Sequence, residues 1–396
     1  MANELLIAGR GVVHAKVEAT YGTDVSPAAS DVVQVYDFEA SFEQDEITRD
    51  TVTQPHVNGL MSENGAGHVS WSCGVAVDMK TITSSVTDAD AGSADWAFRC
   101  CGFSRHDDDT DTSLTYALRD STHESVTIYA FESDQDDSIA NLFKIVGARS
   151  DWSLVLDPGT KMMLNLSGGM GVAQEIWTAG SEPDNVLSEI SASAWTTAKT
   201  VTYPSDNCFL AHNATVQFIV NGTIVGGGSI GTPSNQLLVR SCTINGNMAP
   251  TEAMGISGNQ GPARIDLRPT TPPTVDLLIE ATTLDDFNPY QLRAAKAPVE
   301  LNLKYAQPGT AANTLQIVMF GQVVGTIDKS DNAGSLVYGL TLALRYPGTA
   351  GAPLTTIGLQ PGNTIVDDTS GSAVGVDFNP ASAYPATKLL LQFKTT

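Results

Sequence analysis

Two stretches of this chain, about two hundred residues apart, carry the same alternation of apolar and polar positions. A shift of 204 positions (237 − 33) lays Val33-Gln34-Val35 over Leu237-Leu238-Val239. The same shift lays Val69, Trp71, Cys73 and Val75 over Pro273, Val275, Leu277 and Ile279. Past a longer loop in the first copy, the shift becomes 173 (299 − 126). There Val126, Ile128 and Ala130 meet Val299, Leu301 and Leu303, while Leu142, Lys144 and Val146 meet Leu315, Ile317 and Met319. Side chains on a strand point alternately to opposite faces, so a shared period of two predicts two tandem copies of one antiparallel β-domain.

Size and charge fit that reading. A chain of 396 residues can build two cores of the usual ~100–150 residues. Lys and Arg number 21 against 44 Asp and Glu, for a net charge of −23. That balance argues against gripping nucleic-acid phosphates, which runs on cations. Met-Ala-Asn-Glu-Leu-Leu carries no basic segment before an apolar run, and no stretch has the ~18 apolar residues of a membrane helix. A soluble protein without a membrane partner is expected. The cysteines at 73, 100, 101, 208 and 242 lack framework spacing and read as reduced thiols.

The elements follow from the pattern. A strand at 32–43 sets Val32, Gln34, Tyr36, Phe38, Ala40 and Phe42 on one face and Val33, Val35, Asp37, Glu39, Ser41 and Glu43 on the other. A strand at 69–78 alternates Val69, Trp71, Cys73, Val75 and Val77 with Ser70, Ser72, Gly74, Ala76 and Asp78. The polar stretch 44–67 between them reads as an extended hairpin, and 247–273 is its counterpart. Residues 93–101 predict a short helix, with Ser93 as N-cap and Gly102 just past its end. Leu284–Ala295 is the matching region, where Pro289 confines any helix to the residues after it. Strands at 125–132, 142–148 and 161–167 match 298–305, 315–320 and 336–345. The expected divisions are 1–170 as first domain with an N-terminal arm, 171–212 as linker, 213–346 as second domain, and 347–396 as extension.

Catalytic chemistry finds no kit. Gly227-Gly228-Ser229-Ile230-Gly231 fits a nucleophile elbow, but that order needs a later histidine and the last one is His212. Asp107, Asp109 and Asp111 open like a calcium loop, yet Thr112 replaces the turn glycine and Leu118 the closing glutamate. The six histidines lack zinc spacing. No enzyme activity, metal or cofactor is expected.

The order of elements brings a family into view. Val17-Glu18-Ala19-Thr20-Tyr21-Gly22-Thr23-Asp24 precedes a strand and a long hairpin. A short helix ending in Cys101-Gly102-Phe103 comes next, then Val126-Thr127-Ile128-Tyr129 and a strand that closes on Val146-Gly147-Ala148-Arg149. This order resembles the major tail tube proteins of long, non-contractile-tailed bacteriophages, over roughly 12–170 and 213–346. The long 171–212 segment and the weak second helix depart from it.

The resemblance implies a β-sandwich or half-barrel tube domain in each half, with a flanking helix and a long hairpin. It implies a structural virion protein of the tail, assembled in the host cytoplasm as a homo-oligomer: three chains in a pseudo-sixfold ring, with rings stacked around the passing genome. Tail tip and tail terminator proteins would meet its ends, and the tape measure protein and DNA would lie inside without specific binding. The lumen-lining set implied is Asp37, Glu39, Ser41, Glu43, Ser70, Ser72, Asp78, Ser241, Thr243, Asn245, Asp276 and Glu280. The hairpin reaching the next ring is Thr48, Arg49, Asp50, Gln54, His56 and Asn58. The alternative is a doubled carbohydrate-binding or adhesin-like module.

Overall fold

The computed structural model describes residues 6–49, 61–78, 92–107, 113–119, 123–134, 140–172, 187–190, 192–200, 208–211, 215–220, 223–226, 237–253, 264–281, 284, 287–296, 298–307, 310–332, 334–345, 348–349, 352–353 and 388–395. The fold is mainly β and antiparallel throughout.

The first half contains β1 (Leu6–Val17), β2 (Val32–Val33), β3 (Tyr36–Arg49), β4 (Met61–Ala76), helix α1 (Asp95–Cys100), β5 (Phe103–Asp107), β6 (Ser113–Leu118), β7 (Val126–Asp134), β8 (Ala140–Leu156) and β9 (Met163–Val172). Then come β10 (Leu187–Ile190) and α2 (Ala192–Ala198). The second half contains β11 (Thr215–Val220), β12 (Thr223–Gly226), β13 (Val239–Asn245), β14 (Met248–Ala253), β15 (Arg264–Pro269), β16 (Thr274–Glu280), α3 (Pro289–Ala295), β17 (Val299–Gln307), β18 (Thr310–Asn332) and β19 (Ser335–Leu344). A small hairpin, β20 (Gly348–Thr349) and β21 (Ala352–Pro353), and a strand β22 (Leu389–Thr395) complete the order.

Each half pairs its strands in the same order. In the first, β1 pairs β7, β7 pairs β8, β8 pairs β9, β9 pairs β4 and β4 pairs β3. In the second, β11 pairs β17, and the order continues through β18, β19, β16 and β13. The long strands β8 and β18 serve two layers. Their first portions pair β7 and β17; their last portions pair β9 and β19. Alternation puts one face of each layer into a common core. Val69, Trp71, Cys73 and Val75 are buried in the first half, as are Val275, Leu277 and Ile279 in the second.

Several expectations need correction. β8 and β18 run well beyond 142–148 and 315–320, because a bend rather than an end lies near Gly147 in one and Gly325 in the other, whose φ are +65 and +70. Ser93 does not cap α1 with its hydroxyl: the N-cap is Ala94, and the Ser93 amide donates to Asp78 Oδ1 at 2.7 Å. α3 begins at Pro289, and the Asn288 side chain accepts from the Gln291 amide at 3.0 Å. The first half extends to Val172 in β9. The segment after it contributes built elements. β10 seals the edge of β8, and Trp195 on α2 is buried against Phe131, with ring centroids 6.1 Å apart. Both Cys100 and Cys101 are buried, and burial pushes the Cys101 thiol well above its ordinary range. Among the described residues no helix is long and apolar enough to cross a membrane.

Candidate assembly interface

The two halves join edge to edge. The last turn of the β8 ladder pairs β13, with Leu154 opposite Ile244, Leu156 opposite Cys242, Ser153 opposite Asn245 and Val155 opposite Thr243. On one face Leu154, Leu156, Cys242 and Ile244 are all at most 3% exposed. Burying four such side chains makes this seam a permanent part of the core rather than a loose contact. The result is one sheet of eight strands in the order β3-β4-β9-β8-β13-β16-β19-β18.

A second contact locks the seam. The β14–β15 hairpin of the second half lies against β8 and β9 of the first. The Gly246 amide donates to Trp152 O at 2.8 Å, and the Met248 amide to Asp151 Oδ1 at 2.9 Å. A Cβ at Gly246 would come 2.4 Å from the Trp152 indole, so only glycine fits. Arg149 reaches across to the hairpin. Its guanidinium donates to Ile265 O and to His123 O, while its Nε donates to Glu124 O at 3.0 Å. Its Cζ lies 4.6 Å from the centroid of the Tyr21 ring, a cation–π distance. The Tyr21 hydroxyl oxygen accepts from the Ile265 amide. Burial raises the pKa of Tyr21 and of Asp151 and lowers that of Arg149.

The lead-in motif holds Tyr21 in place. The buried Glu18 carboxylate accepts from Ser125 Oγ (2.6 Å), Thr127 Oγ1 (2.8 Å), and the amides of Gly22 and Gly147 (both 2.7 Å). Asp24 accepts from Tyr129 Oη at 2.7 Å and pairs with Lys144. The left-handed Gly147 leaves room for the Tyr21 hydroxyl, which a Cβ would approach to 2.9 Å. The motif is visible in the sequence; the part it plays in docking a hairpin some 240 residues away has no local signal.

The opposite face of the eight-stranded sheet is mostly polar, although Val155, Met163 and Leu278 share it. Glu39, Ser41, Glu43, Ser70 and Ser72 lie on it in the first half, and Thr243, Asn245, Asp276 and Glu280 in the second, half-buried or exposed. Ser241 is half-buried beside a register shift in β13. Gly74, Asn165, Ser153, Asn245, Thr274 and Ala343 form one row straight across both halves. Asp276 accepts from Asn245 Nδ2 at 3.0 Å and from Thr341 Oγ1 at 2.7 Å.

Two members of the expected lining depart from it. Asp78 is 6% exposed: just past the end of β4 at Ala76 it bridges Cys208, and its carboxylate accepts from the Ser93 amide. Asp37 sits in a bulge with φ +50, which also turns Tyr36 onto the open face opposite Gly74. Of the expected hairpin residues, Thr48 and Arg49 lie in β3 opposite Ser62 and Met61. Asp50, Gln54, His56 and Asn58 fall outside the described residues.

Among the described strands both ends of the eight-stranded sheet are open: β3 pairs only β4, and the last part of β18 pairs only β19. Phe38, Ala40 and Phe42 are half-buried, and Asp328 to Asn332 are exposed. An unpaired edge is a template for another strand unless something blunts it. Compared with models of known families and with curated proteins, the chain matches none.

Proposed function

We propose that the chain is the ring-forming subunit of a hollow phage-tail tube, three copies to a ring. One observation carries this reading: the halves are joined head to tail, so the edge kinds that meet inside the chain are left unmet at its two ends. A contact between unlike edges repeats from copy to copy until the rotation closes, and closure removes every edge.

Magnitudes favour a channel. Three chains of eight strands give about 24 strands at ~4.8 Å spacing, a circle roughly 37 Å across at the backbone before tilt widens it. That exceeds the size at which side chains fill a barrel. The polar face would line the passage with small hydroxyl and amide groups and acids, in a chain of net charge −23. Such a surface repels phosphates and offers no cation row, so DNA would slide without sticking. The β3–β4 arm, with Thr48 and Arg49, would reach the next ring. Tip and terminator proteins would cap the stack, and the tape measure protein would occupy the passage before DNA.

A sugar-binding module would gather exposed aromatics on one face. Among the described residues Tyr36 and Tyr290 are the aromatics of the exposed large hydrophobics, and they lie in different halves. Electron micrographs of the concentrated protein test the proposal. Hollow rods or rings with a central passage are expected; a protein that stays monomeric at every concentration overturns it.

A further inference from the structure

The seam inside the chain specifies the register of the seam between chains. Counting outward from Val75 in the first half reaches Leu164 and then Leu154. Counting outward from Ile279, which stands in the place of Val75, reaches Tyr338 and then Lys329. On the other side, Trp71 pairs Ala40, and Val275 pairs Ile244. Lys329 therefore stands where Leu154 stands, and Ala40 where Ile244 stands. Inside the chain Leu154 faces Ile244.

We infer that β3 of one chain pairs antiparallel with the end of β18 of a second copy, with Ala40 opposite Lys329. The same count sets Ser41 opposite Asp328, Glu39 opposite Ser330 and Phe38 opposite Asp331. This inference rests on the ring reading and gives it an address.

Charge supports the register independently. In it Glu39 faces Ser330, and continuing the ladder sets Glu43 against Thr326. A slip of two residues one way sets Glu39 against Asp328; a slip the other way sets Glu43 against Asp328. Like charges directly opposite one another on a sheet are destabilising. A slip of one residue would turn the half-buried Phe38 and Ala40 to the wrong face. Only one register near the count keeps every acid on this face from facing another acid.

The two seams differ in one respect. Where the internal seam has Leu154 and Leu156, the outer one has Lys329 and Asp331, which are exposed in the single chain. Charges at inward-pointing positions are a recognised way of keeping an edge from pairing too readily. The outer seam should therefore form on assembly and not before.

Paired cysteines test the register. A chain carrying Ser41→Cys and Asp328→Cys, concentrated and oxidised, should give a reducible ladder of linked chains that stops at three. Directly opposed strand positions meet the distance a disulfide needs. A control carrying Ser41→Cys and Ser330→Cys should give none. Rings in micrographs without the first ladder, or with the control ladder instead, overturn the register and leave the tube reading standing. No rings and no ladder, in the unsubstituted chain as well, overturn both.

Discussion

The sealed and the open edges of the eight-stranded sheet are built from the same strand positions, yet they behave oppositely. At the sealed edge Leu154 and Leu156 meet Ile244 and Cys242, and all four are buried. At the open edges the corresponding positions carry Lys329, Asp331, Ala40 and Phe38, none of them fully buried. Backbone hydrogen-bonding capacity is the same in both places. Two side chains, a cation and an acid where leucines would stand, set the open edge apart from the sealed one, and in the proposed ring they would hold that contact back until a second copy arrives.

That comparison can be broken most sharply from the sealed side. Leu154 is 1% exposed, so Leu154→Ala should cost about 2–5 kcal/mol of stability. Lys329→Ala should change the lone chain by about 0.5 kcal/mol or less. Urea denaturation of both variants checks the pair; equal losses would mean that the outer edge is already covered.

A second contrast lies one layer away. Thr127 donates to Glu18 in the first half, but its counterpart in the second is Glu300, itself a buried carboxylic acid with Oε1 unpartnered among the described residues. Burial raises its pKa from 4.5 to about 7. The folded chain then holds this proton more tightly than the unfolded chain does. The contribution is fully present below the unfolded value and is lost as pH rises through about 7. By about pH 8 the cost levels at roughly 3 kcal/mol or less. Glu300→Gln should flatten that part of the Tm-against-pH curve and raise Tm on its alkaline side; an unaltered slope would assign the dependence elsewhere.

The smallest effect comes from making the open edge resemble the sealed one. Lys329→Leu with Asp331→Leu should lower the concentration at which chains associate by about tenfold, roughly 1.4 kcal/mol. Light scattering across a dilution series measures it. Unchanged association would place the contact on another edge.

Much of this architecture is legible from alternation alone. The runs around Trp71 and Val275 each predict a half-buried strand, and Pro289 predicts where α3 starts. Alternation ends β8 too early because Gly147 bends the backbone and Arg149-Ser150-Asp151 interrupts the pattern just past it, where the ladder shifts register. Trp152, Leu154 and Leu156 then resume it. Asp78 escapes the pattern because segments distant in sequence, at Ser93 and Cys208, meet it just past the end of β4. The seam itself has no local signal: an edge strand and an internal strand share the same propensities, and only the partner tells them apart.

The strand β22 has one further consequence. It pairs β18 on one side and β6 on the other, so a segment near residue 390 bridges elements of both halves. On a ribosome making about 5–20 residues per second, β6 would emerge roughly a quarter of a minute to a minute before its neighbour exists. For that interval the nascent first half would carry a naked strand, with the buried Tyr116 and Leu114 uncovered on one flank. Translation speed and chaperone supply, rather than equilibrium stability, should then govern how much of this protein reaches its finished form.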